Sequence, residues 1–163
     1  MTIAPLTIEH WPQVKAIYES GIATGNATFQ VTAPGWQEWD SSHVKIPRIV
    51  LIEKETVLGW AALTPVSGRC VYAGVAEVSV YVLPSAKGKG IGKQLLETLI
   101  IQSEQNNIWT LQAGIFPENK ASLKIHQDTG FRIIGTREKI GKMNNLWRDT
   151  ILLERRSKTI GVV

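Results

Sequence analysis

A glycine- and lysine-rich segment is the first candidate for chemistry in this sequence. Lys87-Gly88-Lys89-Gly90-Ile91-Gly92-Lys93 places three glycines and three lysines in seven positions, after a strand-like segment and before an apolar helical pattern. Such a segment can direct several backbone N–H groups at a phosphate, because it opens a helix and lacks Cβ atoms at three positions. It matches neither the Walker pattern nor G-x-G-x-x-G. The residues alone leave two interpretations, an anion-binding loop or a solvated basic turn.

The composition narrows the classes of protein to consider. The chain has 163 residues, 44% of them hydrophobic and 20% charged, which is typical of one globular domain spanning 1–163. Its net charge of +4 suits a small anionic ligand and is too weak to indicate nucleic acid. The single cysteine, Cys70, excludes an internal disulfide and a cysteine metal cluster. Because no bilayer-length apolar run or signal-peptide pattern is present, we expect a cytoplasmic protein that uses neither a membrane nor a metal.

The apolar periodicity predicts the elements that position this segment. Thr7 is the predicted cap of a first helix, whose apolar residues follow at helical spacing. Two strand patterns come next, RIVLIEK and VLGWAALTPV, around Lys54–Thr56. VAEVSVYV alternates as a strand directly before the glycine loop, and one apolar helical face follows it. A strand in WTLQAGIF, a helix from Asn119 to Gly130 and two closing strands around Met143–Asn145 complete the order. We therefore predict an α/β (α+β) fold with a mixed sheet.

Two motifs resemble those of the GNAT N-acetyltransferases. Lys87-x-x-Gly90-x-Gly92 resembles the family's Arg/Gln-x-x-Gly-x-Gly/Ala loop, although Lys87 departs from the usual Arg or Gln. NKASLKIHQDTGF resembles the family's Asn-x-x-Ser-x-x-x-Tyr-x-x-x-Gly-Phe helix. GNATFQ, GWAALTPVSGR and GKMNNLWRD are similar to the phosphinothricin and methionine sulfone (sulfoximine) acetyltransferase branch. The resemblance implies a twisted mixed sheet flanked by helices on both faces, and splayed where the strand of Glu77 parts from the strand 109–116.

The resemblance also implies where acetyl-CoA binds. The loop amides would hold its pyrophosphate, and free backbone groups of the preceding strand would hold its pantetheine arm. Asn119 would contact the same molecule, cap its helix, or do both. The implied acetyl-CoA contacts are Val78, Val80, Val82, Lys87, Gly88, Lys89, Gly90, Ile91, Gly92, Lys93, Asn119 and Ser122. Lys120 and Lys124 could also face the phosphates, or be solvated.

Glu77 and His126 are the implied catalytic residues. An α-amino group has a pKa of about 8, so a base must remove its proton before it attacks the thioester. Glu77, the single carboxylate in VAEVSVYV, is the candidate base; the alternative is a solvent-facing glutamate at a sheet edge. His126 stands where many family members carry the Tyr that protonates the departing thiolate, and imidazole can donate near neutral pH. The alternative for His126 is a structural role, and Cys70 is not needed as a nucleophile.

Four residues are implied contacts of the acceptor. Arg69 and Tyr72 match an Arg and a Tyr that precede the catalytic strand in this branch, and a planar guanidinium suits a carboxylate, phosphinate or sulfone. Thr28 and Phe29 would line the same pocket, although ordinary core packing also accounts for Phe29 and Tyr72. The branch further implies a homodimer, with the GKMNNLWRD hairpin near the partner's pocket.

The predicted reaction is transfer of an acetyl group from acetyl-CoA to the α-amino group of a small amino acid or analogue. Phosphinothricin, methionine sulfoximine and methionine sulfone are the acceptors that the resemblance implies. One alternative is acetylation of a protein N-terminus or another amine, against which Arg69, Tyr72 and Phe29 argue. A second alternative is a catalytically silent acetyl-CoA-binding module, against which the presence of Glu77 and His126 argues.

Overall fold

Seven strands form one mixed sheet. The computed structural model describes all 163 residues, and its strands are β1 (Thr2–Pro5), β2 (Ile49–Glu53), β3 (Thr56–Pro65), β4 (Val75–Val82), β5 (Thr110–Ile115), β6 (Arg132–Met143) and β7 (Leu146–Arg156). Their order in the sheet is β1-β2-β3-β4-β5-β7-β6. Only β4 and β5 are parallel; every other neighbouring pair is antiparallel.

Four α-helices connect the strands. They are α1 (Trp11–Ala23), α2 (Trp36–Ser42), α3 (Ile91–Gln105) and α4 (Lys120–Asp128), with short 3-10 turns at Ile8–His10, Cys70–Tyr72 and Pro84–Ala86. Thr7, the predicted helix cap, caps the first of these turns, which leads directly into α1. A membrane-crossing helix is not found among them, because none combines the necessary length with sufficient apolar character.

Helices cover both faces of the sheet. Successive residues of a strand point to opposite faces, and the residues of β3 divide between two apolar clusters. Ala61 and Leu63 belong to the cluster that includes the buried residues of α3 and α4. Trp60 and Ala62 belong to the cluster that includes those of α1 and α2. The predicted mixed sheet with helices on both faces is confirmed.

Gly59 in β3 allows α3 to lie directly against the sheet. A Cβ atom at this position would lie 2.8 Å from the carbonyl oxygen of Tyr81 and 2.9 Å from Cδ1 of Leu95. It would also lie 3.2 Å from Cγ2 of Ile91, the first residue of α3. The packing of the start of α3 against the sheet therefore depends on the missing side chain.

The parallel strands β4 and β5 separate soon after they meet. Val75, Ala76 and Glu77 pair with Thr110, Leu111 and Gln112, and no further pairs form, although β4 continues to Val82 and β5 to Ile115. The splay that was expected beside Glu77 is thus present. It leaves one edge of β4 open over the five residues that follow Glu77.

The closing hairpin has an asparagine turn and a bulge. Asn144 and Asn145 both have positive φ values, 50° and 63°, as a two-residue turn between antiparallel strands requires. Farther along, Arg137 pairs with Thr150 and Gly141 pairs with Arg148, so three residues of β6 oppose one residue of β7. The turn was predicted from the sequence, whereas the bulge was not.

Candidate functional site

A cavity of about 1240 Å³ opens where β4 and β5 separate. Its lining comes from the segment after α1, from β4, from the start of α3, from β5 and α4, and from the bulge of β6. Glu77 and His126 both line it, as do Thr28, Phe29 and every predicted acetyl-CoA contact except Lys89. Lys120 and Lys124 also border the cavity. The sequence motifs therefore converge on one space.

The glycine loop presents a row of free backbone donors to this cavity. Gly88 and Gly90 have φ values of 79° and 76°, a backbone conformation that residues with a Cβ atom rarely adopt. Gly90 caps α3, whose first hydrogen bond from the loop runs from the N–H of Gln94 to the carbonyl of Gly90. The N–H groups from Gly88 to Lys93 consequently have no partner in the chain. Together with the helix dipole, these donors form a site suited to an anion.

The open edge of β4 supplies a second set of backbone groups. Leu83 donates to the carbonyl of Leu58 in β3, and Val75 accepts from Val66 on the same side. Because backbone groups alternate in direction along a strand, the odd-numbered residues of β4 face β3 and the even-numbered ones face away. The N–H and C=O groups of Val78, Val80 and Val82 therefore point into the splay, where β5 no longer pairs with them.

Glu77 stands at the point where the two strands diverge. It pairs with Gln112 across the last parallel rung, is half-buried, and lines the cavity. Its Oε1 atom lies 3.6 Å from where a Cβ atom would stand on Gly114, so the bare glycine leaves space around the carboxylate. No ion pair of the chain involves Glu77. A carboxylate that faces a cavity without a partner can accept a proton from a bound ligand.

His126 is buried in α4, with its ring edge-on to Phe131 at 5.0 Å. Its Nδ1 atom lies 2.7 Å from the carbonyl oxygen of Ser122. A carbonyl can only accept, so Nδ1 carries the hydrogen, and Nε2 of the neutral ring is then an acceptor. Burial lowers the pKa of His126, and the bond to Ser122 opposes this shift. The ring can therefore donate a proton from Nε2 only when it is doubly protonated.

The segment after α1 also borders the cavity. Phe29 packs edge-on against Phe116 at 4.9 Å between ring centroids, and a Cβ atom on Gly141 would lie 2.8 Å from its ring. Thr28 lies near the hydroxyls of Tyr18 and Tyr81. Burial raises the pKa of both tyrosines, and hydrogen bonding to Thr28 opposes that rise. Phe29 thus both packs within the chain and lines the cavity.

Arg148 joins this segment to the start of α4, a role that was not predicted. Its Nη1 atom donates to the carbonyl of Gly25 at 2.6 Å, and Nη2 donates to Oδ1 of Asn26 at 2.8 Å and to Glu118 at 3.2 Å. Its guanidinium carbon lies 4.0 Å from the centre of the Phe116 ring, and the side chain is only 11% exposed. Arg148 belongs to the GKMNNLWRD hairpin, and it makes these contacts within its own chain.

Arg69 and Tyr72 lie apart from the other predicted site residues. Both are exposed; Arg69 precedes the Cys70–Tyr72 turn, Tyr72 is its last residue, and the Arg69 guanidinium stacks over the Tyr72 ring at 5.6 Å. Neither residue lines the cavity.

No group of three or more His, Cys, Asp or Glu side chains is arranged to hold a metal ion.

Comparison with known proteins adds to this geometry. The model of the acetyltransferase (GNAT) family matches residues 11–131. Phosphinothricin N-acetyltransferase of Alcaligenes faecalis is 32% identical over 160 residues, covering 94% of this chain and 81% of the relative. The L-methionine sulfoximine/L-methionine sulfone acetyltransferase of Pseudomonas paraeruginosa is 28% identical, covering 88% of this chain and 87% of the relative.

Two solved structures resemble the chain in fold and, to a lesser degree, in sequence. The phosphinothricin acetyltransferase of Sinorhizobium meliloti in complex with acetyl-CoA superposes with a TM-score of 0.85 at 27% identity, covering 95% of this chain and 87% of that one. The ribosomal-protein-alanine N-acetyltransferase of Brucella melitensis superposes with a TM-score of 0.87 at 27% identity, covering 96% of this chain and 100% of that one.

Proposed function

The chain belongs to the acetyltransferase (GNAT) family, and on that premise we propose that it acetylates the α-amino group of a small amino acid or analogue. The donor is acetyl-CoA, and the proposed acceptors are of the phosphinothricin, methionine sulfoximine or methionine sulfone type. The observation that supports the proposal is the convergence of free loop amides, the open edge of β4 and the unpaired Glu77 carboxylate on one cavity.

The donor side of the cavity fits acetyl-CoA. The N–H groups from Gly88 to Lys93 are placed to bind a pyrophosphate, and Lys87 and Lys93 add positive charge beside them. Val78 and Val80 offer backbone groups to an amide-containing arm that lies along β4 as an added strand would. Bound acetyl-CoA supplies the activated acetyl group for the reaction.

Glu77 is proposed as the general base. The acceptor enters as an ammonium ion in large part, because an α-amino group has a pKa of about 8. Glu77 takes its proton directly or through a water molecule, which frees the nitrogen lone pair for attack on the acetyl carbonyl. No covalent enzyme intermediate is required, so the exposed thiol of Cys70 has no part in the mechanism.

His126 is proposed to assist the departing thiolate. With Nδ1 bonded to the Ser122 carbonyl, Nε2 is the atom available to the cavity, and it donates only from the imidazolium form. Negative charge that develops on the sulfur favours that form, whereas burial of the ring disfavours it. His126 therefore serves the reaction only if the developing charge overcomes the effect of burial.

On the acceptor side, Thr28 and Phe29 are the proposed contacts that line the cavity. Arg69 and Tyr72 lie outside the cavity lining, so their proposal as acceptor contacts rests on the family resemblance.

A homodimer is proposed as well. Exposed apolar side chains on β6 and β7 outside the cavity lining support it: Ile133, Ile134, Leu146 and Trp147. Light scattering coupled to size-exclusion chromatography will give the mass in solution, and a monomer would contradict the homodimer.

Acetylation of a protein N-terminus is the second candidate. The similarity to a ribosomal-protein-alanine N-acetyltransferase favours it, because that fold match covers the whole of that chain. A silent acetyl-CoA-binding module is the alternative outside the enzyme class.

A release assay separates these functions. The protein is mixed with acetyl-CoA, a thiol reagent and one acceptor at a time: methionine sulfone, methionine sulfoximine, phosphinothricin, or a peptide with an N-terminal alanine. Turnover with the amino-acid analogues supports the proposal, and turnover with the peptide alone supports the second candidate. Tight acetyl-CoA binding without turnover of any acceptor would support the silent module.

A further inference from the structure

A bulge in β6 follows directly after Arg137 at the rim of the cavity. Residues 138 to 140 are inserted between the pairs that Arg137 and Gly141 form with β7. Lys139 has a φ of 48°, and its N–H donates to Oδ1 of Asp149, the one residue of β7 that opposes the insertion, at 2.7 Å. The Asp149 carboxylate thus holds the backbone in a conformation that β6 would not otherwise adopt.

This bulge changes which side chains share a surface. In a regular strand, residues three apart point to opposite faces of the sheet. Arg137 and Ile140 nevertheless both line the cavity, together with Gly141. Bulges commonly redirect a side chain beside a functional site. Here the bulge brings the apolar side chain of Ile140 to the rim that Arg137 occupies through its regular pair with Thr150.

The Arg137 guanidinium has no partner within the chain. It takes part in no ion pair and is the single arginine in the cavity lining. Of the six other arginines, Arg69 stacks on Tyr72, and five donate to a carboxylate or a backbone carbonyl: Arg48, Arg132, Arg148, Arg155 and Arg156. Arg137 is therefore available to a ligand.

Its neighbours place Arg137 at the acceptor end. Gly141, in the same bulge, lies against Phe29, and Thr150, the cross-strand partner of Arg137, is a buried residue of the lining. The remaining cations of the lining belong to the glycine loop and to α4: Lys87, Lys93, Lys120 and Lys124. Arg137 is thus the one cation of the lining that β6 supplies, next to the bulge that contacts Phe29.

We propose that Arg137 binds an acidic group of the acceptor, a carboxylate or a phosphinate. The enzyme is thereby selective for amines that also carry such an acidic group. The inference rests on the proposed function and adds to it the residue that recognises the acid. A guanidinium fork matches either anion with two parallel hydrogen bonds. Ile140, redirected by the same bulge, lies beside it on the rim, where it can contact the apolar part of the acceptor.

The test compares acids with a matched amine. Methionine sulfone, phosphinothricin and 3-(methylsulfonyl)propylamine, which is methionine sulfone without its carboxylate, are titrated into the wild type and into Arg137→Gln by calorimetry, and turnover is measured in parallel. We expect Arg137→Gln to weaken binding of at least one acid about tenfold or more, as loss of a hydrogen bond between charged groups does, with no change for the amine or acetyl-CoA. Arg137→Lys should recover part of the loss.

Two controls complete the design. Arg132→Gln removes a charge from the same strand at a residue that pairs with Glu154 outside the cavity, and it should leave the affinities for both acids unchanged. Arg69→Gln tests the competing arginine. A selective loss in phosphinothricin binding alone assigns Arg137 to the phosphinate, and a loss with both acids assigns it to the carboxylate.

The inference is overturned if Arg137→Gln binds both acids as the wild type does, if Arg69→Gln alone shows the selective loss, or if the wild type binds neither acid. Absence of turnover in the wild type, with the selective binding loss retained, would instead count against the proposed reaction while supporting Arg137 as the acid-binding residue.

Discussion

Asn119 connects the two sides of the cavity through its contact with Asn26. Its Nδ2 atom donates to the carbonyl oxygen of Asn26 at 3.2 Å, while its Oδ1 atom accepts from the N–H of Ser122 and caps α4. One amide group therefore fixes both the start of the helix that carries His126 and the segment that leads to Thr28 and Phe29.

Substitutions at Asn119 should separate these two contacts. Asn119→Asp keeps the oxygen that caps α4 but loses the donor to Asn26, whereas Asn119→Ala loses both. We expect Asn119→Ala to lower the free energy of unfolding by about 1 kcal/mol, as loss of a helix cap does, and Asn119→Asp to lower it less. Both variants should raise the KM for the acceptor. Equal stability losses in urea denaturation would contradict this division.

Removing the Arg148 side chain should be costly for stability. Arg148→Ala leaves the Gly25 carbonyl and the Asn26 amide without their donor, and we expect a loss of about 2 kcal/mol or more in the free energy of unfolding. Arg132→Ala is the matched control, because its ion pair with Glu154 is exposed and should cost less than about 1 kcal/mol. Chemical denaturation measures both, and similar losses would show that the buried contacts of Arg148 contribute little.

A methyl group on Gly90 should disturb the loop without a steric clash. Nothing lies within 4 Å of a Cβ atom there, but the positive φ of 76° costs roughly 1 kcal/mol or more for alanine. Gly90→Ala should therefore raise the KM for acetyl-CoA, because the loop amides shift away from their present directions. Gly35→Ala, equally unobstructed but with a φ of -77°, should leave that KM unchanged. Steady-state kinetics with varied acetyl-CoA will compare the two.

Glu77→Gln tests the proposed base. Without the carboxylate, kcat/KM at neutral pH should fall about a hundredfold or more while acetyl-CoA binding is retained. The deficit should shrink as the pH rises toward the acceptor's own pKa of about 8, since more of the amine is then already neutral. Glu53→Gln, at an exposed position that ends β2, serves as the control. A pH profile of Glu77→Gln that matches the wild type would remove Glu77 from the mechanism.

His126 should make stability depend on pH. Burial lowers its pKa in the folded protein, so between that value and the unfolded value of about 6.5 the unfolded chain binds more protons. The contribution of His126 to the free energy of unfolding is accordingly fully present above about pH 6.5, and it is lost as the pH falls from there through the pKa of the folded state. His126→Gln should flatten this part of the profile of melting temperature against pH. His43, whose pKa burial also lowers, should contribute separately in a His43→Gln variant.

Local signals in the sequence predicted the backbone features of the glycine loop and of α4, whereas the assignment of the loop to acetyl-CoA came from the family resemblance. Gly88 and Gly90 occupy positions with positive φ, and Asn119 caps α4. In each case the residue type is one that favours the observed local backbone conformation. The alternation in VAEVSVYV likewise predicted the strand β4, in which Glu77 is the one carboxylate. Such features depend on neighbours in the chain and can be predicted without knowledge of the tertiary structure.

The acceptor side depends on contacts between distant residues, which no single segment reveals. Arg148 contacts Gly25, which lies 123 positions away in the sequence, and Ile140 joins Arg137 in the cavity lining through a bulge that Asp149 stabilises. Arg69 was selected by resemblance, yet it lies outside the lining. β1 was missed because a four-residue edge strand has too little alternation to be distinguished from a loop.

The close approach at Gly59 limits how this enzyme can be altered. The Cβ atom of an alanine would clash with the carbonyl oxygen of Tyr81 in β4 and with the Leu95 side chain in α3. Relieving the clash would require β4 or α3 to shift. The position therefore tolerates no substitution that leaves the glycine loop in place. Variants designed to change the acceptor preference should therefore keep glycine at position 59, as well as at position 141, where a Cβ atom would lie 2.8 Å from the Phe29 ring.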